Sequence, residues 1–170
     1  MDTTPVRRLP LALTIAAIVL VADQGTKLWA ERTLTDRAPI PVFGEFLQFR
    51  LLYNPGAAFS IGEGTTWVFT IAAAGAVVWL TWYLWRPQTT ARTVAFSLML
   101  GGATTHLLDR LFRAPGFARG HVVDFIDYNG WFVGNVADIA LFCGAVLVLI
   151  VTIRQPDETK VSSAPDEPRS

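Results

Sequence analysis

The sequence predicts a mainly α membrane protein, with four transmembrane helices and a small strand element outside the membrane. Composition is the first reason. Of 170 residues, 52% are hydrophobic and only 16% charged, against about 25% charged in a soluble domain. The second reason is periodic interruption. Four apolar stretches, each near the roughly 20 residues needed to cross a bilayer, are separated by Pro, Gly and charged residues. The third is the position of the acids. Asp23, Asp109 and Asp138 interrupt otherwise apolar stretches, where a carboxylate costs about 2.5–3.5 kcal/mol at the helix centre.

The first span covers about residues 9–29 and is uncharged up to Asp23. Arg7 and Arg8 ahead of it suggest a cleaved leader. No small-x-small site follows, so a retained first helix is expected. The second span, about 64–85, is a run of 22 uncharged residues. A short turn containing Pro87 leads to the third, about 93–111. The fourth, about 135–153, has Asp138 as its only charge. A single membrane domain over 1–155 is expected, followed by a Pro-, Ser- and acid-rich tail at 156–170 that cannot bury a core and is expected to be disordered.

Four spans place both termini on one side. The 14 Lys and Arg residues divide seven and seven between the two faces, so the positive-inside rule alone gives a tie. The Arg7-Arg8 pair beside the first span favours cytoplasmic termini. Walking the spans alternately puts Asp23, Asp109 and Asp138 on the opposite side. Asp124 joins them, in the loop before the fourth span. The longer segment on that side, about 31–63, holds the β-prone run Phe46–Tyr53 between turn residues. Trp29, Trp67 and Trp131 mark this interface, and Trp82 and Trp85 the other. A net charge of zero gives no sign of nucleic acid as a partner. The lone Cys143 is expected to be a buried, inert thiol.

Five short blocks remain: DQGTK at 23–27, NPGAAFS at 54–60, GGATTHLLDR at 101–110, HVVDFI at 121–126 and NVAD at 135–138. Two close carboxylates cannot both ionise cheaply, so acids clustered at one membrane face can share one proton and serve as base and acid together. Asp23 and Lys27 stand i,i+4 and can pair. Asn135 shares a helical face with Asp138. Asn54 is placed to hydrogen-bond substrate backbone, and Gly101 and Gly102 to allow close helix approach. Asp109 and Arg110 can pair with each other or meet a lipid phosphate. Asp127 reads as an ordinary loop acid and His121 as a surface residue.

In order and spacing, the five blocks resemble the lipoprotein signal peptidases, the type II signal peptidases of bacteria. That resemblance spans about residues 9–153. It implies an intramembrane aspartic endopeptidase that removes the signal peptide from a diacylglyceryl-modified prolipoprotein, cutting just before the lipidated cysteine. It implies Asp124 and Asp138 as the catalytic pair. Asp23, Lys27, Asn54, Gly56, His106, Asp109, Arg110 and Asn135 would support the pair or contact substrate. No metal or cofactor is implied. The implied fold is four transmembrane helices with a small extracytoplasmic β-cradle and a short extracytoplasmic loop or helix before the fourth span. The implied location is the bacterial cytoplasmic (inner) membrane, multi-pass, with both termini cytoplasmic and the site near the extracytoplasmic face. The expected partners are the prolipoprotein and membrane lipid; a monomer is expected. Phe59, Trp67 and Phe125 are candidates for lipid-chain contact.

The chain departs from the family pattern at His106, where Asn is usual. Imidazole can donate and accept a hydrogen bond, as an amide can, but it can also take up a proton. Pro55, inside the Asn-x-Gly block, removes one backbone donor. The rival reading is a small four-helix proton-coupled transporter using Asp23 or Asp138 as a relay. A second rival, a metal-dependent hydrolase using His106 and His121, lacks any paired-ligand motif.

Overall fold

The computed structural model describes residues 5–56 and 65–154. Phe59, Glu63, the start of the second span at Gly64 and the tail at 155–170 lie outside the described residues. Four helices and four strands follow in the order α1 (Leu9–Leu34), β1 (Ile40–Phe43), β2 (Leu47–Asn54), α2 (Thr66–Leu84), α3 (Thr90–Phe112), β3 (Val122–Tyr128), β4 (Phe132–Gly134) and α4 (Val136–Ile153). α1, α2 and α4 are each long and apolar enough to cross a membrane, and the protein is a mainly helical membrane protein. α1 runs to Leu34, beyond the expected end near Trp29, so the strand region begins at Ile40 rather than near 31.

α3 is more polar than the other three because it sits among them, packed against α1, α2 and α4. Hydroxyls along it bond back to carbonyls one turn earlier: Thr93 donates to the Thr89 carbonyl at 3.0 Å and Thr104 to that of Leu100 at 2.7 Å. Close approach is achieved at two glycines. A Cβ at Gly101 would lie 2.7 Å from Val19 Cβ of α1, and one at Gly102 2.8 Å from the Ala137 carbonyl of α4. Ala12, Leu80, Leu84, Phe96, Leu100 and Ala103 bury together between α1, α2 and α3. Cys143 on α4 is exposed, not buried. α4 buries only Ala137, Ala140 and Gly144, so most of its surface is left for lipid.

The four strands form one antiparallel sheet in the order β1-β2-β3-β4. Connectivity places it where α1 and α3 end and α2 and α4 begin, the end of the bundle away from the chain termini. At the other end Val6 pairs with Gln88 in an isolated bridge. The segment before α4 is therefore a loop followed by a β-hairpin, rather than the expected loop or helix. Asn129 (φ 55°) and Gly130 (φ 75°) turn that hairpin, as an Asn-Gly pair commonly does. One face of the sheet packs on α1. Phe125 buries with Ala30 and Leu34, and the Trp29 ring meets Phe49 edge-on at 5.2 Å. Phe125 is thus a structural core residue and not a lipid contact.

Candidate active site

Alternation along β3 turns Asp124 to the face opposite Phe125. In the β2–β3 register, Leu52 pairs with Asp124 and Asn54 with Val122. Asn54 is therefore a diagonal neighbour of Asp124 on the same face. Its Nδ2 donates to Asp124 Oδ2 at 3.0 Å. The orientation of the amide is fixed from its other end, since the Gly56 backbone N–H donates to Asn54 Oδ1 at 3.0 Å. Pro55 loses nothing here, because the bond uses the next residue's N–H.

Asn135 caps α4. Its Oδ1 accepts from the Asp138 backbone N–H at 3.1 Å, and its own backbone N–H donates to Asp138 Oδ2 at 2.9 Å. This is a capping box with Asp in place of the usual Glu or Gln. The Asn135 Nδ2 is thereby aimed away from the helix and donates to Asp124 Oδ1 at 2.6 Å. One side chain thus links both aspartates. The Asp138 side chain is 31% exposed and its Oδ1 lies 3.1 Å from His106 Nε2. Asp124 is almost wholly buried.

Asp124, Asp138, Asn54, Gly56, His106 and Arg110 line one cavity of about 240 Å³, walled by Phe69, Ala73, Val122 and Phe132. Burial pushes the Asp124 carboxyl up from 3.8 to about 6. The Asp138 charge pushes the same way, while hydrogen bonds from Asn54 and Asn135 and the nearby His106 oppose it. A second cavity, about 560 Å³ and mostly apolar, adjoins the first through Phe132 and Asp138. Its remaining walls are Tyr128, Gly134, Asn135, Ile139 and Phe142. Phe142 and Ile139 are exposed on α4, so this groove opens sideways from the helix bundle. Among the described residues, no three His, Cys, Asp or Glu side chains converge as metal ligands.

Asp23, Lys27 and Asp109 lie outside the cavity, in a buried cluster behind it. Lys27 Nζ contacts Asp23 Oδ2 at 2.6 Å and Asp109 Oδ2 at 2.7 Å. Asp109 does not pair with Arg110. Its Oδ1 takes Arg113 Nε at 2.7 Å and Gln24 Nε2 at 3.0 Å. Arg110 points the other way and donates to the carbonyls of Asn54, Pro55, Gly56 and Gly120. Through these bonds the buried guanidinium pins the end of β2. Asp127 is not a solvated loop acid either. It is buried on β3, pairs with Arg50 at 2.7 Å and accepts from the Gly130 N–H at 2.7 Å. Trp67 and His121 line a separate cleft.

Sequence reasoning missed Gln24, Glu31 and Arg113, half-buried residues that extend the buried cluster outward. Arg113 is i,i+4 from Asp109, the spacing that revealed Asp23–Lys27, and joins Glu31 at 2.6 Å. It also missed Phe132, Ile139 and Phe142 as walls of the groove. These are apolar residues whose role depends on the hairpin folding beside α4.

The family model described as signal peptidase (SPase) II matches residues 15–154. Curated relatives carry the name lipoprotein signal peptidase. That of Mycolicibacterium smegmatis is 44% identical over 149 residues, covering 88% of this chain and 63% of the relative. That of Mycobacterium avium is also 44% identical, covering 88% and 82%. The Mycobacterium tuberculosis relative is 42% identical, covering 88% and 74%. Two solved bacterial membrane enzyme structures superpose with TM-scores of 0.76. They are 26% and 27% identical, cover 100% and 92% of this chain, and are each 99% covered. These likenesses do not favour the transporter reading.

Proposed function

The chain belongs to the signal peptidase II family, and we propose that it is an intramembrane aspartic endopeptidase that removes signal peptides from prolipoproteins. The cut falls just before a cysteine bearing a diacylglyceryl group. The observation that carries this reading is the pair Asp124 and Asp138, tied together by Asn135 on one cavity at the sheet end of a membrane bundle. When the pair holds one proton, Asp124 is the member that carries it, because burial raises its carboxyl. Asp138, more exposed and held by the first turn of α4, serves as the base.

Asp138 takes a proton from a water molecule, and the oxygen attacks the scissile carbonyl. Asp124 donates to the carbonyl oxygen as negative charge develops on it. The tetrahedral intermediate then collapses, and a carboxyl proton passes to the departing amine. The two aspartates titrate as a pair, so observed pH limbs belong to both. The precursor enters laterally from the bilayer, past the groove walled by Phe132, Ile139 and Phe142, because both its signal segment and its lipid are anchored there. The site faces the extracytoplasmic side of the bacterial inner membrane, with both termini cytoplasmic.

Direct water attack is tested by single-turnover cleavage in H₂¹⁸O. The released signal peptide gains one ¹⁸O at its new carboxylate, and no covalent peptidyl-enzyme is trapped at any time. Trapping an acyl-enzyme overturns the mechanism.

A further inference from the structure

The buried cluster reaches the residue immediately before each dyad aspartate. Asp109 Oδ2 accepts from the backbone N–H of Val123 at 3.4 Å. Asp23 Oδ1 accepts from the backbone N–H of Ala137 at 2.9 Å. Lys27 joins the two acids at 2.6 and 2.7 Å. A continuous chain therefore runs from β3 through Asp109, Lys27 and Asp23 to the start of α4.

We propose that Lys27 is a positioning residue, and that the Asp23–Lys27–Asp109 bridge sets the separation of Asp124 and Asp138. The proposal rests on reading those two as the dyad. Three features support it. Stability alone is a poor reason for such a bridge, because replacing a buried ion pair by apolar residues is often neutral or stabilising. The contacts are also specific in place: Ala137 carries one of the four N–H groups that the first turn of α4 cannot bond internally, and α1 satisfies it. Asn135 caps the next such N–H, at Asp138, so α4 is held from two sides of its first turn. Finally, Asp23 and Lys27 are fully buried and Asp109 nearly so, which leaves no room for solvent to loosen the bridge.

Without Lys27, the two acids repel across the gap it fills, and β3 and α4 lose their common reference. A shift of about 1 Å in a reacting group lowers rate on the order of 100-fold. Ground-state binding of a membrane-anchored substrate depends on the apolar groove and changes little.

The test uses the full chain in detergent with a diacylglyceryl-modified precursor. Wild type is compared with Lys27→Met, Lys27→Gln and the charge-balanced Asp23→Asn/Lys27→Met, each checked for folding by thermal unfolding. In any folded variant, kcat is expected to fall about 10- to 100-fold with KM within about twofold. The separation between the two pH limbs of kcat should also change, because it reports the interaction between the carboxyl groups. A folded variant with wild-type kcat and limbs overturns the proposal. Failure of all three to fold also overturns it, and assigns the cluster to stability. Inactive wild type is a different outcome: it removes the dyad reading before any variant is compared.

Discussion

Asn135 and Asp138 hold each other through reciprocal hydrogen bonds of 3.1 and 2.9 Å, side chain to backbone in each direction. This exchange fixes the amide plane, and so aims the Asn135 Nδ2 at Asp124, 2.6 Å away. The cap of a transmembrane helix is therefore also the link between two carboxyl groups. Cap and link can be separated by substitution. Asn135→Ser retains a cap acceptor but cannot reach Asp124. Its stability should match wild type, while its kcat falls about 100-fold. Asn135→Ala should lose activity similarly and about 1 kcal/mol of stability as well. Thermal unfolding and cleavage kinetics on the same preparations check both; equal stability losses in the two variants would contradict the division.

Burial of Asp124 has a thermodynamic sign. Its carboxyl titrates near 3.8 ordinarily and at about 6 in the fold. Below 3.8 it is protonated in both states and folding is not penalised. As pH rises to about 6, the unfolded chain ionises first and stability is lost. The full penalty, about 3 kcal/mol at most, holds above that window. Asp124→Asn escapes the penalty but loses one hydrogen bond, since its amide faces two other amide donors. The melting temperature of the variant relative to wild type should therefore climb between pH 4 and 6.5. A pH-independent difference would refute the raised value.

His106 stands where the family usually has Asn, and its Nε2 meets Asp138 Oδ1 at 3.1 Å. His106 works to lower the Asp124 carboxyl, against the effect of burial. His106→Gln offers an amide donor at a similar reach but no charge. It should keep neutral-pH activity within about threefold and move the acid limb of kcat to higher pH than in wild type. Superimposable pH–kcat profiles would exclude His106 from the acid limb.

The groove beside Asp138 should act in binding rather than in chemistry. Phe142→Ala and Ile139→Ser remove apolar wall without touching the aspartates. KM is expected to rise about 5- to 50-fold for the lipid-modified precursor, with kcat nearly unchanged. A fall in kcat at constant KM would place these residues in the reaction instead.

The helical frame was legible because lipid demands about 20 apolar residues per crossing, and three helices meet that demand openly. The third was legible too, although its polar residues are tolerated only because its neighbours cover it. Asp23–Lys27 was readable from its i,i+4 spacing, whereas the attachment of Lys27 to Asp109 needed α1 and α3 side by side. The hairpin carrying Asp124 was the main omission. Val122–Tyr128 is rich in β-branched and aromatic residues, and Asn129-Gly130 follows it, a strong hairpin signal. With Asp124 read as a loop residue, its fixed register opposite Leu52 was lost. So was the diagonal that brings Asn54 to it. The direction of Arg110 was not legible, because carbonyls from the end of β2, the turn after it and the loop before β3 converge on it only after folding.

The most direct measurement compares purified wild type, Asp124→Asn and Asp138→Asn on a diacylglyceryl-modified prolipoprotein, in detergent, with a strong chelator present. Loss of the signal peptide is expected with wild type alone, while both variants stay folded and uncut. No cleavage by folded wild type, or cleavage that persists in either variant, would contradict the dyad reading.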